Sequence, residues 1–216
     1  MDILIKATLE TVYMVGAALG VSILLGLPLG IIVVLTSTPH LHPRPFFSRF
    51  LNGIINITRS IPFIILMIVL IPFTRLITGS AIGTTAAVVP LSLAAVPFLA
   101  RQTEAALREV GVNLIETAQA MGATTFQIVW RVFLGEARSG ILAGITITAV
   151  NLISYSAMAG VIGGGGLGDL AVRYGYQRFR ADIMLQTIII LVVLVQGTQL
   201  GGDYLVRRLH RIKSGN

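Results

Sequence analysis

The sequence predicts an all-α integral membrane protein of five transmembrane helices, with one polar helical loop outside the bilayer. Three observations predict it. The chain has 216 residues, 55% of them hydrophobic and 12% charged, where a soluble domain carries roughly 25% charged, and its mean hydropathy is +0.87. It contains uncharged apolar runs long enough to cross a hydrocarbon core of about 30 Å. Between two such runs lies its longest polar interruption, Asn113 to Gly140, with Glu116, Arg131, Glu136 and Arg138. There is no cysteine, which excludes disulfides and thiolate metal sites.

Taken in order, the N-terminus MDILIKATLE makes a poor signal peptide, because the apolar run behind it is too long for an h-region. The first span is therefore expected to be retained, over residues 12–35. Gly16, Gly20, Gly26 and Gly30 lie along it, and small residues let membrane helices approach closely. Ser37 to Arg49 reads as a loop, with prolines and the pair His40 and His42; no third metal ligand is nearby. The second span is expected over 51–77. Arg59 sits in its first third, where it either snorkels to the interface or makes a gating or structural contact. Pro62 and Pro72 should kink or break this helix.

The third span is expected over 81–100. It contains Pro90 and Pro97, and a helix broken at membrane depth is tolerated where protein buries it. Arg101 begins an amphipathic continuation in which Glu104 and Arg108 pair at i, i+4. This leads into a polar loop over 104–138. There Asn113 with Glu116, and Thr124 with Gln127, each fit a capping box, and Gly122 fits a left-handed helix end. Two short helices hinged at Gly122 follow from these signals.

The fourth span, 139–162, opens an uncharged stretch that continues to Gly168 and exceeds one crossing. Asn151, Ser154, Tyr155, Met158 and Ile162 fall on one side of a helix, facing either a neighbouring helix or a substrate path. Gly163 to Gly168 matches GxGxxG, but it follows a membrane helix rather than a strand, so it reads as a flexible turn and not as a dinucleotide site. The fifth span, 183–205, is built on uncharged Ile183 to Gly202, and a basic tail follows.

Five spans place the termini on opposite sides. With the C-terminus cytoplasmic, eleven Lys and Arg face the cytoplasm (Arg44, Arg49, Arg59, Arg101, Arg108, Arg131, Arg138, Arg207, Arg208, Arg211, Lys213) and five face outward (Lys6, Arg75, Arg173, Arg178, Arg180). That asymmetry satisfies the positive-inside rule. It puts the N-terminus outside and the polar loop in the cytoplasm, and it accounts for the net charge of +7 without nucleic acid. The chain is expected to meet lipid, not DNA or RNA.

No catalytic constellation, metal site or cofactor site is expected. Neither lysine, Lys6 or Lys213, follows a glycine, so a phosphate loop is absent. No acid falls at mid-membrane, where ion-coupled carriers usually keep one. Energy for transport would therefore have to come from another chain; an autonomous secondary carrier is the weaker alternative.

Glu116-Thr117-Ala118, then Gly122, then Val132, Leu134 and Gly135 resemble the EAA loop of ATP-binding-cassette importer permeases: EAA, three residues, Gly, nine residues, I-x-L-P. Thr117, Val132 and Gly135 depart from Ala, Ile and Pro. Asn56 to Ile77, the VPLSLAAVPFLAR stretch, AMGAT, and YSAMAGVIGGGGLG followed by YGY extend the likeness over nearly the whole chain. They narrow it to the methionine-type permeases of the bacterial inner membrane, although the same architecture serving another amino acid or small solute stays open. The resemblance implies one permease domain over 1–216 with the type I importer permease fold and a cytoplasmic coupling-helix loop. It implies a homodimer of this chain, two copies of a cytoplasmic ATPase, and an extracytoplasmic methionine-binding lipoprotein. It assigns Glu116, Ala118, Ala120, Met121, Gly122 and Ala123 to coupling. The candidate translocation path is Asn151, Ser154, Tyr155, Ser156 and Met158, with Arg59 and Pro62 as gating or structural residues.

Overall fold

A computed structural model describes residues 2–38, 41 and 43–214, with side chains as far as Leu209. His40 and His42 lie outside the described residues. Among those described the secondary structure is entirely helical. Four helices are long and apolar enough to cross a membrane: α1 (Asp2–Ser37), α5 (Thr84–Arg108), α9 (Arg138–Val161) and Ala181–Leu209 of α11 (Ala181–Ser214). A fifth span is counted only if α2 (Pro45–Ser60) and α3 (Phe63–Val69) form one broken crossing, because their axes bend by 102°.

The second span is thus not one helix over 51–77. The chain is extended at Ile61 and Pro62, as a proline and the residue before it favour, and α4 (Ile71–Thr78) starts again with Pro72 in its first turn. The third span behaves differently. Pro90 and Pro97 lie inside α5 without breaking it. Both are buried, so packing against α1 and α9 outweighs the local cost of the two missing N–H donors.

α1 packs most extensively on α5, and its glycines explain how. A Cβ on Gly30 would come within 2.7 Å of the Ala100 carbonyl oxygen, and one on Gly26 within 2.9 Å of the Val96 carbonyl oxygen. The two backbones therefore run in near contact. Gly16 and Gly20 face open space within this chain. At one end of the bundle a core of Met14, Ala18, Phe63, Leu91, Leu152 and Ala159 joins α1, α3, α5 and α9. At the other, Val34, Leu107, Val110, Ile115, Phe133 and Ile141 fasten the polar loop to the ends of α1, α5 and α9. α11 lies against α9 and turns Leu185, Ile188, Val192 and Val193 outward, as a helix against lipid should.

The turn expected over Gly163 to Gly168 is present, and it is tied to α1. Gly163, Gly165 and Gly166 take positive φ, and the chain folds back into α10 (Gly166–Leu170). The Gly166 N–H donates to Glu10 Oε2 at 2.8 Å, and the Leu167 N–H to Thr11 Oγ1 at 2.9 Å. Side chains of α1 thus hold the start of α10.

Candidate functional site

The polar loop holds two short helical pieces joined by a hydrogen-bonded turn. The first, α6 (Val112–Ala120), starts from Gly111 with no side-chain cap. Asn113 is already inside the helix, its carbonyl accepting from Thr117 Oγ1 at 2.7 Å, so the expected Asn113/Glu116 capping box does not form. Gly111, extended and without a side chain, takes the cap position instead. Glu116 is left exposed on the outer surface.

α6 ends as expected. Gly122 is left-handed at φ +79°, its N–H donates to the Gln119 carbonyl at 2.9 Å, and the Ala123 N–H donates to the Ala118 carbonyl at 3.0 Å. These two bonds form a Schellman motif. The second capping box is present: Gln127 N–H donates to Thr124 Oγ1 at 3.3 Å and Thr124 N–H to Gln127 Oε1 at 2.8 Å. It opens α7 (Thr125–Gln127), which widens into a π-helical turn over Ile128–Phe133 and closes as α8 (Leu134–Glu136). A side chain at Gly135, where the resembled motif has proline, would meet open space.

The residues expected to serve coupling divide by burial. Ala118 is buried in the loop core and Ala123 packs against it, whereas Glu116, Ala120, Met121 and Gly122 are exposed. Next to them stand two residues not singled out from sequence. Phe126 and Trp130 stack with ring centroids 6.3 Å apart and planes within 6°. Met121, Phe126 and Trp130 are 76%, 74% and 66% exposed, while Ile128 and Phe133 on the opposite side are buried. Large apolar side chains grouped on a polar loop mark a contact surface. The sequence signal was two aromatics at i, i+4 between Thr124, which opens the capping box, and Arg131.

The proposed path residues do not form one cluster. The Tyr155 ring stacks on Phe63 at 4.6 Å, and Met158 is partly buried in the same core. Beside that core, Ile162 and Ala159 line an apolar cavity of about 190 Å³ with Met67, Thr74 and Pro90. Asn151 is half-buried. Ser154 instead opens on a groove between α9 and α11, with Leu191 and Gln196. Ser156 is buried and donates to the Ile153 carbonyl at 2.7 Å, so its hydroxyl is spent within its own helix. Arg59 is exposed at the end of α2 with its guanidinium 5.6 Å from the Phe98 ring centroid, a contact that favours a structural role over plain snorkelling. Pro62 caps the start of α3 at the bend.

Comparison with known proteins agrees with this geometry. The chain is 52% identical over 211 residues to a protein named "Probable D-methionine transport system permease protein MetI" from Vibrio cholerae serotype O1, covering 97% of this chain and 94% of that one. It is 40% identical over 198 residues to "Methionine import system permease protein MetP" of Bacillus subtilis, covering 92% and 89%. A solved structure described as "Inward facing conformations of the MetNI methionine ABC transporter" superposes with TM-score 0.95 at 42% identity, over 97% of both chains. An amino acid ABC transporter solved with histidines shares the fold alone, at TM-score 0.71 and 20% identity. Residues 7–211 match the family described as binding-protein-dependent transport system inner membrane component, and the chain belongs to that family.

Proposed function

We propose that this chain is the permease subunit of an ATP-driven importer that moves methionine inward across the bacterial inner membrane. It works as a homodimer with two copies of a cytoplasmic ATPase and an extracytoplasmic methionine-binding lipoprotein. The observation that carries the reading is the loop of Glu116 to Trp130. An exposed apolar and acidic surface is held on a Schellman turn and a capping box, between membrane-length helices, in a chain with no phosphate loop of its own.

In this reading the N-terminus is outside and the loop is cytoplasmic, as the eleven-to-five asymmetry of Lys and Arg favours. Glu116, Ala120, Met121 and Gly122 form the outer face that meets the ATPase, with Phe126 and Trp130 as aromatic anchors. Ala118 and Ala123 face inward and join that surface to the loop core. When the ATPase pair closes on ATP, the docked loop moves. The core of Leu107, Val110, Ile115, Phe133 and Ile141 passes that motion to α5 and α9 as one body, because close-packed interiors do not deform continuously. Tyr155 and Met158 on α9, with Phe63 across the bend, then lie where the inward- and outward-open forms interconvert.

The test is reconstitution of the chain with its ATPase and binding protein in liposomes. ATP-dependent uptake of labelled methionine, competed by unlabelled methionine and not by polar amino acids, is the expected result. Uptake by this chain without any ATPase overturns the reading, and uptake of another amino acid in preference overturns the substrate.

A further inference from the structure

Glu104 lies near the loop end of α5 and is 6% exposed. A carboxylate so enclosed has to be compensated, and two arginines of the same helix do so. Arg101 donates one N–H to Glu104 Oε2. Arg108 donates through Nε and Nη2 to Oε1, at 3.0 and 2.9 Å. Each arginine also reaches a different helix: Arg108 Nη2 donates to Ser37 Oγ on α1 at 2.9 Å, and Arg101 Nη2 donates to Asn56 Oδ1 on α2 at 2.8 Å.

The two reaches are not equivalent. α1 is fixed to α5 anyway, by the backbone crossings at Gly26 and Gly30. α2 buries only Ser48 and Ile55, and its far end is cut from α3 by the extended residues Ile61 and Pro62 at a 102° bend. It is further held by a small apolar cluster of Ile55, Val33 and Ala100 with Leu29 and Leu51, and by Arg59 over Phe98. We propose that Arg101, aimed by Glu104, is a releasable clasp on α2, and that the transport cycle opens it so that α2 turns about the Ile61–Pro62 break.

Three features suit the contact to release. Asn56 is neutral and exposed, so opening the bond strands no buried charge. The ionic partner of Arg101 is on its own helix and stays with it, so the guanidinium remains compensated whether the clasp is closed or open. Finally, α5 passes through Glu109 to Gly111 straight into α6, so displacement of the loop acts directly on the helix that carries the clasp. With the clasp closed, the chain superposes on a relative solved in an inward-facing conformation. Arg101 and Glu104 are positioning residues in this scheme and touch no substrate. The inference rests on the importer reading.

Spin labels at Ile57→Cys on α2 and Ala105→Cys on α5, both exposed, report the clasp by their separation in the assembled permease–ATPase complex. The expected result is a longer separation on trapping with ATP. Asn56→Asp, which adds an ion pair to the clasp, should shift the population toward the short separation by about two- to fivefold and slow methionine uptake in step. Asn56→Ala should give the long separation without nucleotide, with ATP hydrolysis rising relative to uptake. A separation unchanged by ATP, or unchanged by both substitutions, overturns the clasp. Failure of the importer reading shows separately, as absence of ATP-dependent methionine uptake by the unsubstituted complex.

Discussion

Phe63 and Tyr155 stack almost face to face, with ring centroids 4.6 Å apart and planes 7° apart. Phe63 is the first residue of α3 after the bend, and Tyr155 lies in the C-terminal third of α9. The stack therefore fastens α3 to α9 immediately after the bend that separates α3 from α2. Such pairs contribute about 0.5–1.5 kcal/mol beyond the area they bury. A double-mutant cycle with Phe63→Ala and Tyr155→Ala, read by thermal unfolding in detergent, should return a coupling of that size. Tyr155→Phe should keep it.

Gly122 sets the direction of the chain between the two loop helices. Its left-handed φ of +79° costs a non-glycine residue roughly 1–2 kcal/mol, and proline cannot adopt it at all. Gly122→Pro, and separately Glu116→Lys on the exposed face, should leave normal amounts of protein in the membrane while uptake falls steeply. Immunoblotting of membranes alongside methionine uptake decides this; normal uptake in both variants would falsify the coupling assignment.

Phe126→Ala and Trp130→Ala should barely change the melting temperature, because both side chains are largely exposed. They should weaken binding of the ATPase by tenfold or more each, as loss of an aromatic anchor worth about 2 kcal/mol does. Titration of detergent-solubilised permease with the ATPase measures it.

Thr124→Ala removes one half of the capping box and should cost about 1 kcal/mol. Gly30→Leu is a harsher change, since its Cβ would already sit 2.7 Å from both the Ala100 carbonyl oxygen and Thr103 Cβ. Overpacking of that kind costs typically 1–3 kcal/mol or more. Gly16→Ala, facing open space, serves as the control and should leave the unfolding of the single chain unchanged.

Local chemistry accounts for what was legible in the sequence. The Thr124/Gln127 box and the Gly122 turn depend on residues within a few positions of each other, and both formed as read. The Asn113/Glu116 box failed because Gly111, two residues earlier, already provided the helix start. Pro62 marked the broken span correctly, but no local rule fixes a 102° bend. Pro90 and Pro97 misled for the opposite reason: burial against α1 and α9 keeps α5 continuous. The face of Asn151, Ser154, Tyr155 and Met158 was sound as periodicity. Which of its members meet α3, and which meet α11, depends on helices far away in the chain. The Phe126–Trp130 stack was open to a spacing argument, but its exposure needed the buried Ile128 and Phe133 to define the other side.

The bonds from Glu10 and Thr11 to the amides of Gly166 and Leu167 join residues 156 positions apart. During synthesis the first helix has to stand in the membrane, its carboxylate and hydroxyl waiting, until the fourth span has been threaded and the glycine turn arrives. Until then two backbone donors of α10 have no partner within the protein. After that turn come α10, a π-helical turn over Ala171–Tyr176 and only then α11, so the contact with α1 sets where the chain begins its approach to the final helix. The contact is strongly non-local, so it cannot form until the glycine turn has been made, and its closure belongs to the late steps of folding.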